Sequence, residues 1–208
     1  MHPFLNYSWM SDAVKTKISC FYDHLVEANK LQNLTRLITP SDFFTGHFLD
    51  VLELMHTRWL HGVCFDLGSG AGIPGLLASI LEPSFLTEAT WVLAESEARK
   101  AIYLQGAVDL LNLPVQVYMG RAESYLKRHP VDCIAVRAVG TLSKLYPWIR
   151  AGIWKELILF KGPAWEKEWE LFQKSRFASE LRLLQEHHYS IPSQDTLKTR
   201  LLLKLVKS

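Results

Sequence analysis

Apolar residues recur at steps of four, three and four along Val14, Ile18, Phe21 and Leu25, the spacing of one face of an α-helix. Asn29 to Pro40 breaks the stripe. Phe44, Phe48, Val51 and Met55 resume it in a second helix, expected to start at Ser41 as its cap. From His61 onward the pattern changes, and strand-length apolar runs alternate with helical stretches. The strands expected are "GVCFDL", "TWVLAE", "VQVYMG", "VDCIAVRAV" and "ELILFKG". Between them lie "PGLLASIL", which should stop before Glu82-Pro83, "SEARKAIYLQGAVDLLN" with Ser96 as cap, "RAESYLKRH" and "TLSKLYPWIR". Such a rhythm predicts a parallel sheet covered on both faces. The closing segments "SELRLLQEHHYSI" and "TRLLLKLVKS" have no helix between them and should finish the sheet as an antiparallel pair. The organisation expected is a small helical extension over 1–60 and an α/β domain over 61–208.

Composition narrows the partners only a little. The 208 residues are 49% apolar and 21% charged, as in a globular protein. Lys and Arg number 23 against 21 Asp and Glu, so contact with nucleic acid would need a local basic patch. Cys20, Cys64 and Cys133 are odd in number and far apart, which suggests neither a disulfide framework nor a zinc site. No metal is expected, and a reduced, cytoplasmic setting fits. The chain has no apolar run near the roughly 20 residues of a membrane span, and "MHPFLNYSWMSDAVK" does not read as a signal peptide.

The candidate chemistry begins at "FDLGSGAGIPG", Phe65 to Gly75, between an expected strand and an expected helix. Gly70, Gly72 and Gly75 spell the GxGxxG of dinucleotide sites. Gly68, Gly70 and Gly72 also spell the GxGxG of S-adenosylmethionine (AdoMet) enzymes. A carboxylate at Asp66 would repel a pyrophosphate seated on the following helix and attract the ammonium and sulfonium of AdoMet. Glu95 ends the next strand and would face ribose hydroxyls. Arg137 ends an almost wholly apolar strand at the ligand-binding edge and needs an anion: the AdoMet carboxylate, a phosphate, or a loop acid.

Several further stretches then fall into one order: "NLT" (Asn33 to Thr35), "HFLD" (His47 to Asp50), "DLGSGAGIPG" (Asp66 to Gly75), "ESEARK" (Glu95 to Lys100), "RAE" (Arg121 to Glu123), "RAV" (Arg137 to Val139), "FKG" (Phe160 to Gly162) and "RLLLK" (Arg200 to Lys204). From about Phe21 to the C-terminus the chain resembles the bacterial small-subunit ribosomal RNA methyltransferase G family, also called glucose-inhibited division protein B. The resemblance implies a Rossmann-like class I AdoMet-dependent sheet with a helical N-terminal extension, acting on N7 of a guanine in 16S ribosomal RNA. Matched motif by motif, cofactor contacts would fall on Gly68, Ile73, Ala122, Glu123 and Arg137. Asp66, Gly70, Gly72 and Glu95 would be close neighbours.

N7 carries a free lone pair, so no catalytic base is expected, and the enzyme would act by orientation. Asp66 would orient the methionine ammonium, or else cap the loop amides. His47 and Asp50, three apart on one helix face, could frame the guanine, with Asp50 accepting from N1 and N2. Asn33, Arg36, Lys161, Lys100 and Arg99 could reach RNA, whereas His187-His188 reads as structural. The expected partner is ribosomal RNA, the expected state a monomer. Competing readings are an NAD-dependent oxidoreductase, a methyltransferase for a different RNA, and a non-catalytic RNA-binding module. A DNA amino-methyltransferase would need an (N/D)PP(Y/F)-type stretch where this chain has "RAVG".

Overall fold

The computed structural model describes residues 2–193 and 196–208. Seven strands form one sheet in the order β3-β2-β1-β4-β5-β7-β6. β1 (Val63–Leu67), β2 (Thr90–Glu95), β3 (Val115–Met119), β4 (Val131–Val136) and β5 (Trp154–Lys161) run parallel. β7 (Thr196–Lys207) pairs antiparallel with both β5 and β6 (Leu181–Ser193). The central strands are apolar throughout because both faces are covered, and successive residues serve opposite layers. On β4, Cys133 and Ala135 join one core while Ile134 and Val136 join the other.

The first core lies under α1 (Asp12–Asn29), α2 (Pro40–Phe43), α3 (Leu49–Thr57), α4 (Gly75–Phe85) and α5 (Ala98–Leu111). The second lies under α6 (Ala122–Leu126), α7 (Leu142–Ile149) and α8 (Trp165–Gln173). The first core runs unbroken from Phe4 through Leu60 to Leu202, so the N-terminal helices share it with the sheet.

Four local expectations are corrected. The cap of α2 is Thr39, whose Oγ1 accepts from the Asp42 amide at 3.1 Å, because Pro40 takes the first helical position. A π turn at Phe44–Phe48 joins α2 to α3. It brings Phe43 and Phe48, five residues apart, onto the core side and leaves Phe44 half-buried. α4 continues through Pro83 to Phe85, the proline falling in its last turn on the solvent side. α5 begins after Glu97 and not at a Ser96 cap, since the Glu95 carboxylate accepts the Glu97 amide at 2.9 Å. α8 is a further helix, beyond those that the apolar spacing predicts.

Candidate functional site

The carboxyl ends of β1, β2 and β4 meet at one edge of the sheet, where open α/β sheets bind ligands. The loop leaving β1 is tightly self-satisfied. The amides of Gly68 and Ser69 donate to Ala94 O, those of Gly72 and Ile73 to Ser69 O, and that of Gly70 to Glu95 Oε2 at 3.1 Å. The Gly75 amide, first in α4, donates to Asp66 Oδ2 at 2.9 Å.

Both acids therefore point inward. Asp66, expected to orient the methionine ammonium, is fully buried beneath the loop and holds Gly75 instead; its Oδ1 meets no donor among the described residues. Burial pushes its pKa up to about 7, with the Gly75 amide pulling the other way. Glu95, expected to face ribose hydroxyls, is also buried and already accepts the Gly70 and Glu97 amides. A buried carboxylate needs donors, and the nearest ones are loop amides.

Two clefts open on either side of the loop and share Gly68 and Val139. One, of about 230 Å³, is lined by Ala122, Glu123, Ser96, Arg121 and Trp148. The other, of about 500 Å³, is lined by Ile73, Gly70, Thr35, Arg36, His47 and Arg137. Gly68 is required where they adjoin: its φ is +73°, and a Cβ there would come 2.9 Å from Val139 Cγ2, the other residue the clefts share. Together the clefts match the size of a small-ligand site. Gly68, Ile73, Ala122, Glu123, Arg137 and Gly70 thus line two adjoining clefts that share Gly68 and Val139, and Asp66 and Glu95 stand behind the loop between them.

The expected substrate residues divide. Arg36 is exposed on the cleft, and Asn33 is exposed in the same loop, which Asn29 Oδ1 shapes by accepting the Leu34 and Thr35 amides at 2.9 Å. His47 lines the cleft but is almost wholly buried, with Thr35 Oγ1 3.0 Å from its Nε2. Burial, then the Arg137 charge, lowers its pKa to about 3, so it is neutral.

Asp50, expected to accept from a guanine, has no exposed surface. Its Oδ2 accepts from Arg137 Nε at 3.1 Å and Arg200 Nη1 at 3.2 Å, and its Oδ1 from the Tyr189 hydroxyl at 2.8 Å. The anion that Arg137 needs is thus supplied from within, and its Nη2 also donates to Gly46 O. Lys161, expected to reach RNA, is held by Glu168 at 2.7 Å and Gly140 O at 3.0 Å. Lys100 pairs with Glu97 at 2.8 Å, His187 with Glu53 at 2.9 Å, and His188 with Glu186 at 3.0 Å.

Sequence reasoning missed Thr35, Tyr189, Lys198 and Arg200. Arg200 heads the "RLLLK" segment, and that one cation entering an apolar strand was the available signal. Near the amino-terminal edge of the sheet His61, Cys133 and Glu156 cluster at metal-ligand distances, but the Lys204 ammonium lies 2.8 Å from Glu156 and supplies the positive charge there. No helix among the described residues is long and apolar enough to cross a membrane.

Residues 14–197 match the family model for rRNA small subunit methyltransferase G. Relatives carrying that name include one from Lactobacillus acidophilus, 28% identical over 95% of this chain and 85% of its own length. Another, from Rhodopirellula baltica, is 37% identical over 67% of this chain and 60% of its own. Among solved structures, a putative RNA methyltransferase from Pyrococcus horikoshii aligns over 91% of this chain and 98% of its own at TM-score 0.54 and 15% identity. TrmK of M. capricolum, solved with S-adenosyl-homocysteine, covers 74% of this chain and 68% of its own at TM-score 0.53 and 8% identity. These two similarities, with the strand order, define the fold as the Rossmann-like class I methyltransferase sheet. On the family match over most of its length, the chain belongs to the rRNA small subunit methyltransferase G family.

Proposed function

We propose that this protein transfers the methyl group of AdoMet to N7 of a guanine in small-subunit ribosomal RNA. The observation that carries the reading is the self-satisfied loop: the amides of Gly68, Ser69, Gly70, Gly72, Ile73 and Gly75 all donate within the protein. A dinucleotide site leaves such amides for a pyrophosphate. Here Asp66 already caps α4, which argues against NAD and fits a ligand without phosphate. Gly68 and Ile73 would floor the cofactor cleft, with Ala122 and Glu123 at one end and Glu95 bracing the loop behind it.

AdoMet when bound supplies an electrophilic methyl on a sulfonium. The residues of this chain bind, orient and exclude water. Beside the glycine loop Asp66 and Glu95 hold loop amides, Asp50 holds two guanidiniums, and His47 is buried with its pKa lowered to about 3, while Glu123 stands at the far end assigned to the cofactor. An acceptor that loses no proton suits such a site, and guanine N7 is one. Alignment of the acceptor with the methyl is worth several kcal/mol.

Calorimetric titration tests the cofactor. AdoMet and S-adenosyl-homocysteine should bind in the micromolar range, about −8 kcal/mol, and raise Tm by mass action, while NAD does neither. Stabilisation by NAD alone would remove the methyltransferase reading. Transfer of labelled methyl from AdoMet to ribosomal RNA separates an enzyme from a binding module.

A further inference from the structure

We infer that Arg200, set beside Arg137 by the buried carboxylate of Asp50, and Lys198, which lines the same cleft, form a seat for a phosphodiester of the RNA strand, outside the cofactor cleft. The inference rests on the RNA methyltransferase reading and adds to it where the strand lies.

The first ground is charge. Asp50 is one carboxylate with no exposed surface, and two guanidiniums share its Oδ2. The Tyr189 hydroxyl on its other oxygen is neutral. His47 nearby contributes no charge. One positive charge therefore remains on arginines whose side chains are only 14% and 31% exposed. Such a charge is stable there only with a further anion or water at its open edge.

Donor geometry is the second ground. A guanidinium offers five N–H groups in a rigid fork. Arg200 engages Nη1 with Asp50, and its Nε and Nη2 have no partner among the described residues. Anchoring at one corner fixes the fork and presents its remaining donors, the arrangement that suits tetrahedral oxyanions.

The third ground is placement. Among the described residues, a cleft of about 590 Å³ is lined by four cations, Arg137, Lys161, Lys198 and Arg200, and by no acid. Lys161 is neutralised by Glu168, while Lys198 is exposed. Phe160 and Leu197 add an apolar wall. Neither Lys198 nor Arg200 lines the two clefts at the glycine loop, so the anion they take belongs to the substrate and not to the cofactor. On their other side a cleft of about 520 Å³ carries Asp42, which disfavours an anion there and directs it toward β5. With a net charge of only +2 over the chain, this local excess marks the path of a polyanion.

Binding of in-vitro-transcribed small-subunit ribosomal RNA, followed by anisotropy across a range of KCl concentrations, tests the seat. Removing one phosphate-binding cation should lower the slope of log K against log[salt] by about 0.7–0.9. Lys198→Ala and Arg200→Ala should each show that decrease, with affinity falling by about tenfold for the arginine. S-adenosyl-homocysteine should bind both variants as it binds the wild type. Lys174→Ala, on an exposed site outside these clefts, should leave the slope unchanged. Lys198 is exposed, so its variant reads the seat even if Arg200→Ala fails to fold. Wild-type slopes in both variants of an enzyme that methylates the RNA would overturn the seat, as would loss of S-adenosyl-homocysteine binding in Lys198→Ala. A wild-type protein that neither binds nor methylates the RNA would instead overturn the parent reading.

Discussion

Asp66 and His47 lie under and beside the glycine loop, and burial shifts them in opposite directions. Asp66 titrates near pH 7 in the folded chain against 3.8 unfolded, so between those values the native state holds a proton that the unfolded state has released. Its contribution makes stability fall as pH rises through that window. His47 titrates near 3 against 6.5 unfolded, so between those values the unfolded state holds the extra proton and stability rises with pH. From about pH 4 to 6.5 the two slopes oppose and nearly cancel. Asp66→Asn should unmask a rise of up to about 1.4 kcal/mol per pH unit, and His47→Gln a fall of the same size. Urea unfolding at several pH values reads both; parallel profiles for the two variants would refute the assignment. The types and positions of these residues were legible in the sequence, but the direction their oxygens face was not. Asp66, Glu95 and Asp50 read as ligand contacts because each stands at a strand end or helix face near the loop. Folding turns them toward amides and guanidiniums, since no solvent reaches them.

At the level of elements, the turn from β1 into α4 depends on a missing side chain. A Cβ on Gly75 would come 2.5 Å from Leu93 Cδ2 and 2.9 Å from Asp66 Oδ2. Gly75→Ala should therefore strain the helix start against both strands and cost about 1–3 kcal/mol, seen as a lower urea midpoint at constant m. A midpoint within error of wild type would show that α4 shifts freely and that the close approach is incidental. The glycine spacing, the strand–helix alternation and the antiparallel ending were all readable, because each follows from local pattern. The π turn at Phe44–Phe48 was not. Phe44, Phe48, Val51 and Met55 fit an unbroken helix equally well, and only packing against Phe4 and Phe21 selects Phe43 for the core in place of Phe44. Thr39 and Glu97 displaced the expected caps for the same reason: Pro40 and the Glu95 carboxylate settle the turns before a serine does.

In the whole molecule, Asp50 links parts of the chain far apart in sequence. It stands in α3 and binds Arg137 past the end of β4, Tyr189 in β6 and Arg200 in β7. The first core is likewise continuous across residue 60, so the N-terminal helices and the sheet jointly wall the cleft. The proposed acceptor, guanine N7, suits what that wall leaves free. On that side Asp66, Glu95 and Asp50 are turned to loop amides and guanidiniums, and His47, with its pKa lowered to about 3, is a weak base. None of these four is set to remove the proton that an amine or hydroxyl acceptor would have to lose. Guanine N7 has no proton to lose. Ribosomal RNA carrying 7-deazaguanine keeps N1, N2 and O6 and replaces only the N7 lone pair by C–H. It should bind with unchanged affinity and accept no methyl group, while unsubstituted RNA is methylated. The measurement is transfer of labelled methyl under single-turnover conditions, with binding read separately by anisotropy. Transfer to the deaza RNA at the normal rate would place the methyl on another atom and overturn the N7 assignment.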